Sequence, residues 1–280
     1  MKSALLMCTP DYFGVRYVIN PWMEKQVGKI NRRRAKAQWT RFYKTLSRHA
    51  RVELIEPRPN MPDLVFTANA GILRGNKFIL SRFRHQERQP EEPVFKTWFK
   101  DRGYKVIEQS APFEGAGDAL FQPGQDLLWA GYGLRTDRAA HATLSKEFRT
   151  KVVSLRLIDK WFYHLDTCLC PLRNGQVMYY PGAFDPDSVK RIEENTRPEN
   201  RIAVSAEDAA HFSCNAVLVK KNIFLNFATS TLKRQLEQAG YTVHIQPVTE
   251  FLKSGGANKC LTIEFDEDVS KKPVAWPTAA

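Results

Sequence analysis

The sequence predicts an α/β fold in which five similar units close into a five-bladed, pseudo-symmetric propeller. Four segments each begin with small or polar residues and continue as two apolar strands separated by a turn rich in Gly, Asn or Lys, the pattern of a β-hairpin. The segments share an aligned Asn or Asp at spacings of 49, 48 and 49 residues, namely Asn69, Asp118, Asp166 and Asn215. Repeats of about 40–50 residues are typical of propellers and of arrays of supersecondary units.

Each predicted hairpin is followed by a helix and then by another short strand, so each unit has the order ββαβ. The helices are predicted at 91–102, 139–148, 185–195 and 229–239, and strands such as KVIEQS and TVHIQPV follow them. The chain ends, at 3–8 and 259–265, supply strands of a fifth unit. Because one unit cannot bury its apolar face alone, we expect the five to surround an axis on which the shared Asn and Asp positions converge.

Length and composition are those of a globular protein from a reducing compartment. Of 280 residues, 43% are hydrophobic and 26% charged, which excludes disordered, collagen-like and coiled-coil chains. No stretch reaches the roughly 18 consecutive apolar residues of a membrane helix, and the first apolar run is too short for a secretory signal. Five cysteines are too few, and odd in number, for a disulfide scaffold. We therefore predict one cytoplasmic domain over 1–280 with no membrane partner.

The positive charge of the chain has two interpretations. Lys and Arg number 42 against 30 Asp and Glu, and the net charge of +12 could favour nucleic-acid binding. The densest cluster, Arg32 to Arg34 with Lys36, falls in a segment at 23–49 whose apolar residues have helical spacing. No zinc-finger spacing, RNP-type motif or P-loop accompanies it. We interpret the cluster as the solvated face of an amphipathic helix and expect no nucleic-acid partner.

Residues able to do chemistry lie at the positions that are expected to converge. His164 and Asp166 are two residues apart at a predicted strand start, which would turn both side chains to one side. A carboxylate beside a histidine favours the imidazolium form. Cys260 follows Gly255 and Gly256 at a loop–strand junction, a setting that fits an activated thiolate. Glu114, just before Asp118, is a further candidate acid.

Each of these residues also has a structural interpretation. A buried cysteine is usually a small hydrophobic residue, and a buried histidine is usually a hydrogen-bonded part of the core. Asp118 and Asn215 could cap turns. The repeat favours catalysis, because it brings the candidate acids, His164 and Cys260 to one axis.

Four strings in register resemble the motifs of one superfamily. They are FTAN from Phe66, FEGAGD from Phe113, HLDT from His164 and GGANKCLT from Gly255. They are similar to motifs of the guanidine-modifying enzymes of the pentein superfamily, which includes arginine deiminases, dimethylarginine hydrolases and amidinotransferases. The resemblance runs from about residue 5 to about residue 265 and implies the five-bladed pentein fold, in a single guanidine-modifying domain.

The resemblance also implies a role for each candidate. Cys260 would attack the guanidinium carbon, with His164 as general acid and base. Glu114 and Asp166 would hold the cationic guanidinium. A guanidinium carbon is a poor electrophile because its charge is delocalised, so it needs a thiolate and carboxylates that fix its plane. His164 would protonate the departing amine and then deprotonate the water that resolves the thiouronium. The scheme needs no metal and no cofactor.

One position departs from the pattern of deiminases and dimethylarginine hydrolases, which usually have aspartate where FTAN ends in Asn69. An amide can both donate and accept hydrogen bonds, so it could hold the ureido oxygen of a citrulline-like intermediate. This asparagine resembles that of arginine dihydrolases, which carry arginine to ornithine, ammonia and carbon dioxide. Arg88 and Arg135 resemble that subgroup's substrate-carboxylate clamps, and Asn20 resembles a further substrate contact. Without the resemblance, both arginines could equally be solvated surface cations.

We therefore expect a hydrolase that acts on the guanidino group of arginine or a related compound, with arginine dihydrolase as the first choice. The alternatives are an arginine deiminase that stops at citrulline and a dimethylarginine hydrolase. A propeller that binds a cationic ligand or nucleic acid without catalysis is the alternative from another class. The sequence leaves open the oligomeric state, and also whether methylated arginine is accepted.

Overall fold

The computed structural model describes residues 3–266. Within this range fifteen β-strands form five sheets of three strands each, which confirms the five predicted units. No helix in the part of the chain that the structure describes is long and apolar enough to cross a membrane. The predicted single domain over 1–280 extends beyond this range and stays a prediction.

Helix and strand bounds follow the predicted order closely. The strands are β1 (Ser3–Cys8), β2 (Arg51–Ile55), β3 (Gly71–Arg74), β4 (Lys77–Leu80), β5 (Lys105–Ile107), β6 (Ala119–Phe121), β7 (Leu127–Tyr132), β8 (Lys151–Arg156), β9 (Leu169–Pro171), β10 (Val177–Tyr179), β11 (Arg201–Ala203), β12 (Val217–Val219), β13 (Asn222–Leu225), β14 (Thr242–Ile245) and β15 (Ile263–Asp266). The α-helices are α1 (Arg32–Leu46), α2 (Glu91–Asp101), α3 (Ala140–Phe148), α4 (Pro186–Asn195), α5 (Ala206–Ala210), α6 (Ser230–Gln238) and α7 (Thr249–Leu252).

The helices α2, α3, α4 and α6 agree with prediction to within one residue at each end. Two of the differences are N-caps. Asp185 accepts a hydrogen bond from the Ser188 amide, and Thr229 accepts one from the Leu232 amide. These residues therefore satisfy the first free N–H groups from just outside α4 and α6.

Every unit combines an antiparallel pair of strands with a third strand that is parallel to one of them. In one of them β6 pairs antiparallel with β7, and after α3 the chain returns as β8, parallel to β7. In the sheet formed by the chain ends, β15 is antiparallel to β1 and β2 is parallel to β1. The predicted start of the last strand at residue 259 is wrong, because residues 258–261 form a turn and β15 begins at Ile263.

The basic helix is shorter than the predicted segment at 23–49. Positive φ angles at Lys25 (60°) and Gly28 (72°) break the helical path before it can start. The helix α1 begins after Asn31, whose side chain accepts a hydrogen bond from the Arg34 amide. The arginines at 32–34 are exposed while Trp39 and Phe42 are buried, which confirms the predicted solvated face.

Helices cover the outer part of the sheets with aromatic packing. Phe78 on β4 stacks on Phe99 of α2 with ring centroids 3.9 Å apart. Trp129 on β7 is fully buried and donates its indole N–H to Gln122. Burying one large apolar side chain stabilises the fold by roughly 1.5–3 kcal/mol. This packing does not involve the turns that precede the first strand of each hairpin. Those turns can therefore contact one another.

Those turns carry the repeated Asn and Asp, which connect neighbouring units. Three of them are 3-10 turns at Thr67–Ala70, Gly115–Gly117 and Leu165–Thr167. The connecting bonds run from Asn69 Nδ2 to Glu114 O (3.3 Å), from Leu165 N to Asp118 Oδ1 (3.0 Å) and from Asn215 Nδ2 to Asp166 O (3.0 Å). The predicted convergence is confirmed. These bonds between units explain why the repeat has an Asn or Asp at this position.

Candidate active site

A small buried cavity lies where these turns meet. Its lining residues are Ile19, Asn20, Met23, Asp63, Phe66, Asn69, Arg88, Arg135, Tyr163, His164, Ser254, Gly256 and Cys260. Six of the eight predicted site residues are therefore brought together. The other two, Glu114 and Asp166, do not line the cavity, but Glu114 contacts His164 and Asp166 contacts Cys260.

Cys260 lies at the end of the glycine-containing loop. Gly255 has a φ of 82°, and a Cβ there would lie 2.6 Å from the Tyr163 hydroxyl, so this position requires glycine. Cys260 Sγ is 3.4 Å from Asp166 Oδ2 and 3.1 Å from Asn215 Nδ2. Burial and the Asp166 carboxylate raise the pKa of this thiol well above its usual range. A cation entering the cavity would oppose both effects.

His164 is held by Glu114, with 2.7 Å between His164 Nε2 and Glu114 Oε2. The predicted strand start at 164–166 is wrong, and so is the prediction that His164 and Asp166 act as a pair. His164 precedes a 3-10 turn at Leu165–Thr167, so the two side chains do not have the period of two that a strand would give them. Asp166 contacts Cys260 instead.

Glu114 is an ionised carboxylate between Arg135 and His164. It is fully buried, and Arg135 Nη1 donates to its Oε2 at 2.9 Å. Burial opposes ionisation, but Arg135 and the hydrogen bond with His164 outweigh it and lower the pKa of Glu114. Because an ionised carboxylate can only accept, Nε2 of His164 carries a proton and donates it to Glu114 Oε2.

Asp166 is a buried carboxylate with an unused acceptor. It is 1% exposed, and its Oδ1 has no hydrogen-bond partner among the residues that the structure describes. Burial raises its pKa to about 7, although Lys259, Cys260 and Asn215 act in the opposite direction. Leaving a buried oxygen unpaired is costly. A donor group on a ligand would remove that cost.

Arg88 and Arg135 are 4% and 3% exposed, so their interpretation as solvated surface cations is wrong. Arg88 donates to both oxygens of Glu91, at 2.9 and 2.7 Å, and to Asn69 Oδ1 at 2.9 Å. Arg135 donates to the Ile19 carbonyl at 2.8 Å as well as to Glu114. Both guanidinium groups thus hold positive charge at the cavity wall, where an anionic group of a ligand would be attracted.

The loop between β1 and α1 closes one side of the cavity. Asn20 Oδ1 accepts from the Met23 amide at 3.2 Å, and Asn20 Nδ2 donates to the Ser254 carbonyl at 3.1 Å. With the bond from Arg135 to Ile19, these contacts join the loop to two other segments of the site. Asn20 is therefore placed at the cavity, although it lies in a loop and not in a turn that leads into a hairpin.

Asp63 is a cavity residue that the sequence analysis missed. It is 2% exposed, accepts from the Tyr17 hydroxyl at 2.8 Å and from the Ser254 hydroxyl at 3.2 Å, and its pKa is raised by burial. In the sequence, Pro62 and Asp63 have the composition of a turn. The sequence signal that could have identified Asp63 is its position directly before the apolar run LVF, which leads into the FTAN motif.

A second and larger cavity, of about 930 Å³, is lined by residues of one strand from each sheet, namely β3, β6, β9, β12 and β15. Its rim carries exposed cations, namely Arg48, Arg51, Arg173 and Lys220. Like charges would repel a guanidinium there. In residues 3–266, no group of three or more His, Cys, Asp and Glu side chains could hold a metal ion. The small cavity, which is lined by Asp63 and by Cys260 in contact with Asp166, is the candidate site for a cationic ligand.

Five ββαβ units around a buried cysteine, histidine and carboxylates define the guanidine-modifying enzymes of the pentein superfamily. A family model described as N,N dimethylarginine dimethylhydrolase, eukaryotic, matches residues 9–266. The N(G),N(G)-dimethylarginine dimethylaminohydrolase of Mycobacterium tuberculosis is 38% identical over 261 residues, which are 92% of this chain and 84% of that protein. The chain belongs to the N,N-dimethylarginine dimethylhydrolase family.

Two bifunctional proteins are more similar in sequence but much longer. The arginine dihydrolase/ornithine cyclodeaminase AgrE of Nostoc sp. is 52% identical over 270 residues, which are 96% of this chain and 38% of AgrE. The crystal structure of the N-terminal domain of cyanobacterial ArgZ, a cysteine-to-serine variant bound to substrate, has a TM-score of 0.93 at 51% identity. It covers 94% of this chain and 98% of that domain. This chain thus spans somewhat over a third of the bifunctional protein.

Proposed function

We propose that this chain, as a single catalytic domain over 1–280, is an arginine dihydrolase that converts arginine to ornithine, ammonia and carbon dioxide. The observation that carries the proposal is the 3.4 Å contact between Cys260 Sγ and the Asp166 carboxylate, beside a cavity shared with His164. The unpartnered Asp166 Oδ1 supports a ligand that donates N–H bonds, as a guanidinium does. The names of AgrE and ArgZ, 52% and 51% identical, support arginine as the substrate.

In the proposed first step, Cys260 loses its thiol proton to solvent and its Sγ forms a bond to the guanidinium carbon. The bond from that carbon to a terminal nitrogen breaks, and His164 supplies the proton with which the nitrogen leaves as ammonia. Asp166 accepts N–H bonds and fixes the plane of the group, while Glu114 keeps His164 oriented. The product is an alkylthiouronium on Cys260. An ArgZ variant captured covalently bound to a reaction intermediate supports a scheme of this kind.

In the second step, water adds to the thiouronium carbon, His164 takes its proton, and the C–S bond breaks. The carbon is now that of a ureido group, as in citrulline. A second hydrolysis at the same carbon releases ornithine, carbon dioxide and another ammonia, so that arginine and two waters balance ornithine, two ammonia and one carbon dioxide. Arg88 and Arg135 would hold the carboxylate of the substrate. Asn20 and Asn69 would make further contacts to the substrate.

The alternatives differ in substrate or in the number of steps. The family model and the Mycobacterium relative favour dimethylarginine as a second candidate substrate. An arginine deiminase would stop at citrulline. Asn69 favours the dihydrolase, because an amide can donate to the ureido oxygen. A protein that only binds a ligand would need no cysteine and histidine on one cavity. Salt-sensitive retention on DNA without arginine turnover would favour this non-catalytic alternative.

One incubation separates these alternatives. The protein is incubated with arginine and, in parallel, with dimethylarginine, and citrulline, ornithine, urea and ammonia are assayed separately. Ornithine with two ammonia per arginine supports the dihydrolase. Citrulline with one ammonia identifies a deiminase, and turnover of dimethylarginine alone identifies the third candidate. Ornithine with urea would contradict the proposed scheme, because it would mean that the bond to the substituted nitrogen breaks and not a bond to a terminal nitrogen.

We expect arginine binding to strengthen as the pH rises through about 7, because Asp166, with a pKa of about 7, is neutral below that value and anionic above it. On the acid side the affinity should change about tenfold per pH unit. The measurement is isothermal titration calorimetry with the Cys260→Ser variant, which removes turnover.

The control for this prediction is the same titration with Cys260→Ser combined with Asp166→Asn, whose side chain cannot ionise. Its arginine affinity should be weak and nearly independent of pH in this range. An equally steep pH dependence in the double variant would show that another group is responsible and that Asp166 does not bind the guanidinium.

A further inference from the structure

The side chain of Asn215 contacts the nucleophile twice. Its Nδ2 donates to Cys260 Sγ at 3.1 Å, and its Oδ1 accepts from the Cys260 backbone N–H at 3.1 Å. The same Nδ2 donates to the Asp166 carbonyl at 3.0 Å. One amide therefore joins the turn that carries Cys260 to the turn that carries Asp166, the two residues whose side chains also meet.

The orientation of this amide is determined by its partners. Two acceptors, the Asp166 carbonyl and Cys260 Sγ, face the nitrogen, and one donor, the Cys260 N–H, faces the oxygen. Rotating the amide by half a turn would set its oxygen against two acceptors and its nitrogen against a donor. The backbone adds a further restraint, because the Lys259 N–H donates to the Asn215 carbonyl at 3.1 Å.

Asn215 is fully buried and does not line the cavity, so a substrate would not touch it. Its effect on chemistry must pass through its two partners, Cys260 and Asp166. Burial and the Asp166 carboxylate both disfavour the thiolate. An oriented N–H donor stabilises a thiolate more than a thiol, because hydrogen bonds to charged acceptors are stronger. The backbone bond in addition keeps Cys260 at the cavity wall.

We propose that Asn215 is a positioning residue for the nucleophile, which holds Cys260 between two units and stabilises its sulfur as a thiolate. The expected effect of Asn215 on turnover rests on the proposed function. The effect of Asn215 on the sulfur can be measured without substrate. The titratable and charged groups around Cys260 are Asp166 in contact, Lys259 next in the chain, and those on the same cavity, namely Asp63, Arg88, Arg135, Tyr163 and His164. None of them is altered in the test.

The test uses a matched pair of buried asparagines. Asn226 donates to the His211 carbonyl at 3.0 Å and accepts from the Val248 N–H at 2.8 Å, the same backbone pattern as Asn215 but without a sulfur. Asn215→Asp and Asn226→Asp each keep the accepting oxygen and replace the donor. Asn215→Ala and Asn226→Ala form a second pair in case a buried carboxylate prevents folding.

The main readout is the pH dependence of alkylation of Cys260 by iodoacetamide, resolved by mass spectrometry from that of the other four cysteines. Both Asn215 variants should need a pH about one unit higher than wild type to reach the same rate. Their kcat for arginine should fall about tenfold or more, with KM changed less than threefold in Asn215→Ala. The pH dependence of kcat/KM should move in the same direction as that of alkylation.

Both Asn226 variants should show the wild-type alkylation profile even if they unfold more easily. An unchanged profile in the Asn215 variants, or an equal shift in both pairs, would overturn the proposal and reduce Asn215 to a structural link. If wild-type protein does not turn over arginine, the proposed function fails, and the alkylation profiles still decide the role of Asn215.

Discussion

Replacing Cys260 by serine is expected to reduce arginine turnover about a thousandfold or more while arginine still binds. A serine hydroxyl is a far weaker nucleophile than a thiolate near neutral pH, and nothing else in the proposed scheme forms the covalent bond. The partners of the sulfur, Asp166 Oδ2 and Asn215 Nδ2, can bond to a hydroxyl in the same place. The measurement is kcat for ornithine formation, together with calorimetric binding of arginine.

Cys170→Ser is the matched control for that experiment. Cys170 is also buried, and its sulfur faces the Ala216 carbonyl, which can accept from a hydroxyl. It does not line the small cavity, so turnover should stay within about threefold of wild type. Acid quench of wild-type enzyme during turnover should also trap an adduct on the Cys260 peptide. More than about a tenth of the wild-type rate in Cys260→Ser would show that covalent catalysis by this residue is wrong.

The repeat made the architecture predictable. Hairpin chemistry, helix stops and a spacing close to 49 residues are local signals, and each unit satisfies them independently. Helices with an N-cap such as Asp185 or Thr229 were placed to within a residue because the cap is itself a sequence feature. The start of α1 was not predicted, since it depends on positive φ angles before Asn31 that hydrophobic spacing does not record.

The site was predictable by residue type but not by pairing. Convergence of the units brought His164 and Cys260 to one cavity as expected. The partner of His164 differs from the prediction, because a 3-10 turn directs Asp166 to Cys260 and leaves His164 to Glu114. Asp63 was missed since an isolated carboxylate beside a proline has the same sequence appearance whether it is exposed or buried.

Replacing Asn69 by aspartate is expected to make citrulline accumulate from arginine while the first hydrolysis survives. In the structure Asn69 Oδ1 accepts from Arg88 Nη1 at 2.9 Å, a bond that an aspartate keeps. The amide nitrogen, which an aspartate lacks, donates to the Glu114 carbonyl at 3.3 Å, and Asn69 lines the cavity. A carboxylate there favours a guanidinium cation, but meets a ureido oxygen with like-signed lone pairs. The mismatch should cost about 1–3 kcal/mol, roughly ten- to a hundredfold in the second hydrolysis.

The product ratio separates this specific effect from a general one. Asn20→Asp is the control, since Asn20 lines the same cavity and likewise accepts from a backbone N–H and donates to a backbone carbonyl. It should change KM for arginine and leave the ratio of ornithine to citrulline as in wild type. If Asn69 only links two units, Asn69→Asp will lower stability or overall rate without changing that ratio. An unchanged ratio in a folded, active Asn69→Asp variant would defeat the dihydrolase role of Asn69, and the claim that remains would be hydrolysis of a guanidino group.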